Sequence, residues 1–223
     1  MNIAFIPVRG GSKSIPLKNI KILNGKPLVY WTTKAANDAV CIDKVVVATD
    51  SEEIKNAVLS FGLNKVEIFD RSAENAQDTS STESVMVEYI KKSNLNDNDN
   101  FFLIQATSPL LKSEHINGMY AKYTEENFDS MFSGVREKQF KWIETDDGIK
   151  PVNYDYRNRP RRQDFQGLIA ETGACYINKI GNIVKDNCRL SGNIGFYELP
   201  AYTSYEIDEP HDWIIVEELM KNH

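Results

Sequence analysis

The chain is short of the residues on which several chemistries depend. It has three cysteines, Cys41, Cys175 and Cys188, too few and too far apart for a disulfide framework or a thiolate zinc site. An odd number of thiols without metal spacing reads as reduced cysteine and a cytoplasmic setting. The three histidines, His115, His211 and His223, are scattered, and none adjoins a serine or cysteine as a nucleophilic triad requires. No apolar run approaches the ~20 residues that span a bilayer. The first residues, Met1-Asn2-Ile3, lack the basic start and apolar stretch of a secretory signal, so no membrane association is expected. Positive charge is in deficit: 26 Lys and Arg face 32 Asp and Glu, a net charge of -6. That excludes a nucleic-acid partner held by bulk electrostatics. Any anion site must be a local cluster of cations on an acidic protein.

One such cluster is present. An apolar run, Ile3-Ala4-Phe5-Ile6-Pro7-Val8, reads as a buried strand and leads into Arg9-Gly10-Gly11-Ser12-Lys13-Ser14-Ile15-Pro16-Leu17-Lys18-Asn19. Two glycines permit a tight turn, and three cations with neutral donors suit phosphate oxygens. The loop matches neither GxxxxGK[ST] nor GxGxxG. A solvated basic turn has the same composition, so the loop alone does not decide between them.

The pattern beyond it is strand, helix, strand, helix, strand. A turn at Asn24-Gly25 precedes a helix over residues 28–38, and β-branched residues 44–49 form a strand. Asp50-Ser51-Glu52-Glu53 is an N-cap signal that opens a helix to about residue 60, and residues 65–69 form a third strand. Residues 71–81 are a polar loop, 82–92 a helix, 101–105 a strand, 113–126 a helix and 130–135 a strand. Residues 94–100, rich in Asn and Asp, read as a solvated connector. The rhythm then breaks over residues 137–167, which are polar, aromatic and arginine-rich, with a turn at Asp147-Gly148. Strands over 173–177 and 194–199 and a helix over 211–220 complete the chain. The expected fold is one α/β domain: a Rossmann-like, mostly parallel sheet with helices on both faces and a small lobe inserted at 137–167.

Three polar segments fall at expected carboxyl ends of strands: the first loop, the segment from Arg71, and residues 105–108. Ligands bind at that edge of an open α/β sheet. A nucleotide lying there would place phosphates on the glycine loop and its base near Asn19, Arg71, Ser80 and Thr82, although each residue alone is equally a cap or turn residue. Glu206 and Asp208 lie two apart, so an extended backbone turns both to one face. Two such carboxylates suit a hard cation such as Mg²⁺, whereas Asp208 alone would serve as a cap for the last helix. Arg157, Arg159, Arg161 and Arg162 form a cluster able to grip an acidic substrate or simply to solvate a lobe.

Taken together these segments are similar to the acylneuraminate cytidylyltransferases. Residues 6–19 resemble the signature I-P-A-R-G-G-S-K-x-I-P-x-K-N. Gln105-Ala106-Thr107-Ser108-Pro109-Leu110-Leu111 resembles Q-x-T-S-P-L-R, and Arg71-Ser72-Ala73-Glu74 with Asp78-Thr79-Ser80 resembles R-P-A-E…D-T-A/S. Arg161-Arg162-Gln163-Asp164 and Glu171-Thr172-Gly173-Ala174-Cys175-Tyr176-Ile177 resemble R-R-Q-D and E-N-G-A-x-Y-I, and Glu206-Ile207-Asp208 stands where the family carries its metal-binding acidic pair. The resemblance implies transfer of CMP from CTP to the anomeric hydroxyl of a nine-carbon 2-keto acid sugar, with Mg²⁺. It implies Arg9, Gly10, Gly11, Ser12 and Lys13 at the triphosphate and Lys18 on the charge developing at the α-phosphate. Asn19, Arg71, Ser80 and Thr82 would meet cytosine and ribose. Gln105, Ser108, Lys141, Arg162 and Tyr176 would meet the sugar, and Asp208 with Glu206 would hold the metal. It also implies a homodimer whose lobe reaches the partner's site. A related acidic sugar (legionaminic, pseudaminic, deaminated sialic or Kdo-type acid), or a non-catalytic nucleotide-binding protein of the same fold, is the alternative. The chain departs from the pattern at Leu111 for Arg, Thr172 for Asn and Glu206 for Asp.

Overall fold

Alternation along the first strand decides the layering. In β1 (Asn2–Pro7), Ile3 and Phe5 face one side of the sheet, and Ala4 and Ile6 face the other; all four are fully buried. A strand buried on both faces needs helices on both faces. In this computed structural model, which describes residues 1–11, 14–77 and 79–223, both layers are present.

The chain runs β1, a 3-10 turn (Lys18–Ile20), the short hairpin β2 (Ile22–Leu23) and β3 (Lys26–Pro27), α1 (Leu28–Asp38), β4 (Lys44–Thr49), α2 (Glu52–Leu59) and β5 (Val66–Asp70). It continues through α3 (Thr82–Lys92), β6 (Asn100–Ile104), α4 (Ser113–Glu125), β7 (Ser130–Glu137), β8 (Trp142–Thr145), β9 (Gly148–Pro151) and β10 (Leu168–Lys179). It ends with α5 (Ile180–Asp186), β11 (Ile194–Glu198), a second 3-10 turn (Ala201–Ser204) and α6 (Pro210–Asn222). The central sheet has the order β11-β7-β10-β6-β1-β4-β5. Every pairing in it is parallel except those of β10, which runs antiparallel to both β6 and β7.

One face packs on α1, α2 and α4 through residues such as Val29, Ala36, Ile54, Val58, Ile116 and Met119. The other packs on α3 and α5 through Val85, Met86, Tyr89, Ile180 and Ile183, with Phe5, Tyr89 and Phe101 in a ring cluster at centroid distances of 5.2–6.4 Å. A third apolar cluster joins Ile15 of the first loop, Leu23, Leu28, Leu110, Ile207 and the α6 residues Trp213 and Val216. It welds the first loop to the segment that carries Glu206 and Asp208.

Three expectations need correction. The strand expected over 173–177 is the longer, bulged β10, because Ala170 and its neighbours also pair with β7. The short helix α5 was not expected: it has only Ile180 and Ile183 buried, too brief an apolar period to read. The connector 94–100 is not wholly solvated, because Asp99 is buried and its carboxylate accepts from the Asn96 amide at 2.9 Å. Between β7 and β10 the chain leaves the sheet and forms the β8–β9 hairpin, with Asp146 and Asp147 at its turn. Phe140, Tyr154 and Phe165 stack at its base, Phe140 and Tyr154 with ring centroids 4.1 Å apart.

Candidate active site

The strand order creates the site. From β1 the chain steps outward to β4 and β5, then returns to place β6 on β1's other side. β1 and β6 are thus parallel neighbours, and the loops that leave them lie side by side at the carboxyl edge, where an open α/β sheet binds ligands. A cavity of about 340 Å³ lies there. Arg9, Lys18 and Asn19 line it from the first loop, Gln105, Ala106 and Thr107 from the loop after β6. Arg71, Gln77, Ser80, Ser81 and Thr82 form the far wall. Ser81 caps α3, its hydroxyl accepting from the Ser84 amide at 3.1 Å, so the amide end of that helix faces the cavity, which favours an anion.

The described residues of the first loop are tied down by specific bonds. Asn19 is buried and its Nδ2 donates to the Arg9 carbonyl at 3.0 Å, closing the loop on itself. Gly10 donates its amide to Asp50 Oδ1 at 3.0 Å, and a Cβ on it would come within 2.9 Å of the Ser51 Cβ. Close approach to the β4–α2 corner thus requires glycine there, whereas Gly11 has open space around it. Leu17 adopts a left-handed conformation (φ 52°), uncommon outside glycine, and turns the chain into the 3-10 turn that carries Lys18. Ser12 and Lys13 lie outside the described residues, as does Asp78.

Lys18 points along the floor of the cavity. Its Nζ donates to the Ile207 carbonyl at 2.8 Å and to Asp208 Oδ1 at 3.2 Å. Ser14 Oγ donates to the Asp208 carbonyl. Asp208 does not cap α6: Glu209 and Asp212 form that box, the Asp212 carboxylate accepting from the Glu209 amide at 2.7 Å. The Asp208 carboxylate is left for other work. Ile207 between the two acids is fully buried, and its amide donates to the Thr107 carbonyl at 2.9 Å, so Glu206 and Asp208 flank an anchored residue. Glu206 accepts from the Ser108 hydroxyl at 3.1 Å. Burial pushes its carboxyl up to about 7; the Ser108 bond lowers it, the Asp208 charge raises it and Lys18 opposes that rise.

This has a consequence for stability. The proton is held more tightly in the fold than in the unfolded chain, so the contribution of Glu206 is present below its ordinary pKa of 4.5 and is lost as pH rises through about 7. Glu206→Gln is expected to raise the melting temperature at pH 8 without divalent cation and to change it little at pH 4.5. A gain equal at both pH values would contradict this.

A β-bulge lies behind Gln105 and Glu206. Register between β10 and β7 shifts between Glu171 and Tyr176, and Gly173 there has φ 67°. Its Cα side approaches Glu206 and Gln105: a Cβ would lie 3.1 Å from Glu206 Oε1 and 3.4 Å from Gln105 Nε2. The bulge is pinned from inside by Ser133, whose Oγ accepts from the Cys175 amide at 2.9 Å, and by the buried Thr172 hydroxyl, which donates to the Ser133 carbonyl at 3.3 Å.

The other residues expected on the sugar side are placed elsewhere. Tyr176 is buried, donates its hydroxyl to Glu171 and lies under the Arg189 guanidinium at 5.1 Å. Burial pushes its phenol far up, and Glu171 reinforces this. Ser108 is buried against Glu206. Lys141 pairs with Glu137, and Arg162 lines a separate hollow of about 450 Å³ on the lobe with Lys138, Gln139, Phe140 and Arg159. Neither lines the crevice of its own chain. Leu111 is buried in the core and offers no anion contact.

Comparison with known proteins assigns this arrangement. The family model described as cytidylyltransferase matches residues 3–165. The chain belongs to the cytidylyltransferase family. It is 37% identical over 219 residues to N-acylneuraminate cytidylyltransferase A of Danio rerio, covering 96% of this chain and 50% of that protein. It is 30% identical over 219 residues to N-acylneuraminate cytidylyltransferase of Streptococcus agalactiae serotype V, covering 96% of this chain and 52% of that one. The chain thus spans about half the length of these curated relatives. Two solved structures share the fold: CMP:2-keto-3-deoxy-manno-octonic acid synthetase complexed with CTP (TM-score 0.71, 18% identity, 99% of this chain and 98% of that one) and 4-diphosphocytidyl-2C-methyl-D-erythritol synthase from Anaerococcus prevotii (TM-score 0.72, 13% identity, 99% and 96%).

Residues that shape the site of this family member also include some the sequence did not single out. Ile15 and Ile207 are apolar residues inside polar motifs, and that contrast was the available signal. Ser133, in a strand 40 residues before the bulge it pins, and Gln77, in a polar loop, gave none. Arg189 pairs with Glu83 in the first turn of α3 at 2.6 Å, a contact across 106 residues that no local pattern announces.

Proposed function

We propose that the chain transfers CMP from CTP to the anomeric hydroxyl of a nine-carbon, sialic-acid-like 2-keto acid sugar. The hydroxyl oxygen attacks the α-phosphorus, the bond from that phosphorus to the bridging oxygen breaks, pyrophosphate leaves and the hydroxyl proton passes to solvent. Such a transfer needs no protein nucleophile; it needs positioning and charge neutralisation. The observation that carries the reading is the convergence of Arg9, Lys18, Asn19, Arg71, Ser80, Thr82 and Gln105 on one crevice. The names of the curated relatives support the same chemistry.

In this reading Arg9, the Gly10-Gly11 backbone, Ser12 and Lys13 hold the triphosphate. Asn19, Arg71, Ser80 and Thr82 meet the nucleoside. Lys18, fixed by Ile207 and Asp208, offsets charge at the reacting phosphate. Gln105 opens to the sugar, while Ser108 and Tyr176 act behind it by holding Glu206 and Glu171.

A divalent cation fits the donor set. Among the described residues there is no cluster of three or more metal-binding side chains, so a closed protein cage is absent there. Two carboxylates completed by phosphate oxygens and water suit Mg²⁺. Asp208, with Glu206, would hold it, and when bound it would neutralise phosphate charge.

Lys141 and Arg162 are assigned to the crevice of a second copy, reached by the 137–167 lobe in a homodimer. Exposed Trp142, Ile143, Ile149 and Val152 on that lobe support it. A cytoplasmic setting is supported by three free cysteines; among the described residues no helix is long and apolar enough to cross a membrane. A related acidic sugar is the second reading, favoured by Thr172, whose hydroxyl is turned inward to Ser133. The test is product analysis: incubation with CTP, Mg²⁺ and N-acetylneuraminic acid is expected to yield a CMP conjugate by mass spectrometry. Unreacted CTP with that sugar and with every related acid would refute the proposal.

A further inference from the structure

The wall formed by residues 71–77 and 79–82 has few apolar anchors, yet it must present Arg71 and Ser80 to the crevice. Its order traces to one carboxylate outside the site. Glu88 lies on α3, six residues beyond Thr82, with a side chain only 9% exposed. Its carboxylate accepts from the Ser72 amide at 3.1 Å, from Asn75 Nδ2 at 2.7 Å and from Lys92 Nζ at 2.6 Å. The first two donors belong to the wall, not to the helix. Asn75 in turn accepts the Arg71 Nη2 donor on its carbonyl, and its Nδ2 also reaches the Ser84 carbonyl at 3.5 Å. The Arg71 amide donates to the Thr49 carbonyl at 3.1 Å, which fixes the near end. Arg71 Nε is buried with no partner among the described residues, a donor at the crevice. Burial raises the Glu88 carboxyl, but the bonds from Lys92, Asn75 and Ser72 together outweigh it and hold the group below its ordinary range. A surface pair with Lys92 alone would contribute little and would not require burial against a loop. Charge-assisted bonds to two points of that loop define its path instead.

We propose that Glu88 is a positioning residue for nucleotide binding, acting through Asn75 to set the Arg71 guanidinium in the crevice. The inference rests on the nucleotide reading of that crevice. It predicts an effect on CTP that is separable from the sugar and from chemistry.

The experiment is CTP titration calorimetry with steady-state kinetics on wild type, Glu88→Ala, Glu88→Gln, Asn75→Ala, Arg71→Ala and the Glu88→Ala/Arg71→Ala double variant. Glu88→Ala is expected to weaken CTP by about tenfold or more, the loss of a charge-assisted network. Its sugar KM and kcat should stay within about twofold. Glu88→Gln should fall between, because the amide oxygen still accepts from Ser72 while its NH₂ opposes the Asn75 donor. In the double variant Glu88→Ala should add little to the loss from Arg71→Ala, since both act on one guanidinium. Melting curves accompany each variant, and should Glu88→Ala fail to fold, Asn75→Ala and, with a smaller loss, Glu88→Gln are expected to show weakened CTP binding in its place. CTP affinity within about twofold of wild type in these variants, or losses that multiply fully in the double variant, would overturn the inference while leaving the nucleotide reading intact. A wild type that binds no CTP overturns both.

Discussion

Lys18→Ala is expected to lower pyrophosphate release by about a thousandfold while CTP binding changes by no more than a few-fold. The Lys18 side chain is only 12% exposed and its Nζ has two fixed partners, the Ile207 carbonyl and Asp208. A cation already in place has no reorganisation to undergo when charge develops, and that makes it worth more to the transition state than to bound CTP. Binding is left to Arg9, Arg71 and the α3 amide end, so affinity should survive. Lys18 also ties the first loop to Asp208, and loss of that tie alone could disturb the site. Lys18→Met keeps the apolar stem without the charge, so it should retain the melting temperature and still fail in turnover. Unchanged turnover in Lys18→Met would remove Lys18 from the reaction.

Asp208→Asn should be nearly as severe, about a hundred- to a thousandfold in kcat with the fold unaffected. The α6 cap belongs to Glu209 and Asp212, so the substitution removes charge but no cap. What is lost is the oxygen charge proposed to hold a divalent ion and the partner of Lys18 at 3.2 Å. EDTA should mimic the variant in wild type, and excess Mg²⁺ should restore activity to wild type only. Full activity in EDTA would show that the carboxylates serve only to orient Lys18.

Much of this arrangement was legible in the residues because local rules carry it. The unbroken apolar run in residues 3–8, β-branching in 44–49 and the cap signal at Asp50-Ser51-Glu52-Glu53 announced the layers, and β1 lies where its composition put it. The crevice was legible as soon as polar segments fell at carboxyl ends of parallel strands. The parts that stayed hidden depend on distance along the chain. That β10 inserts antiparallel between β6 and β7, and carries a bulge pinned by Ser133, is a long-range choice that a five-residue apolar run cannot encode. The resemblance implied Tyr176 at the sugar; in the fold it is buried under Arg189 and bonded to Glu171, contacts its local sequence does not announce. Glu88 stands i,i+4 from Lys92 on α3, and only folding brings Ser72 and Asn75 to its other oxygen lone pairs.

The central claim is that this crevice joins CMP to a 2-keto acid sugar. It is tested most directly by following pyrophosphate release from CTP and Mg²⁺ against a panel of such sugars: N-acetylneuraminic, deaminated sialic, legionaminic, pseudaminic and Kdo-type acids. The account predicts release that requires a sugar, is greatest with a nine-carbon acid and is lost in Lys18→Met. No release with any member of the panel, although CTP binds, would contradict it and favour a nucleotide-binding protein without catalysis.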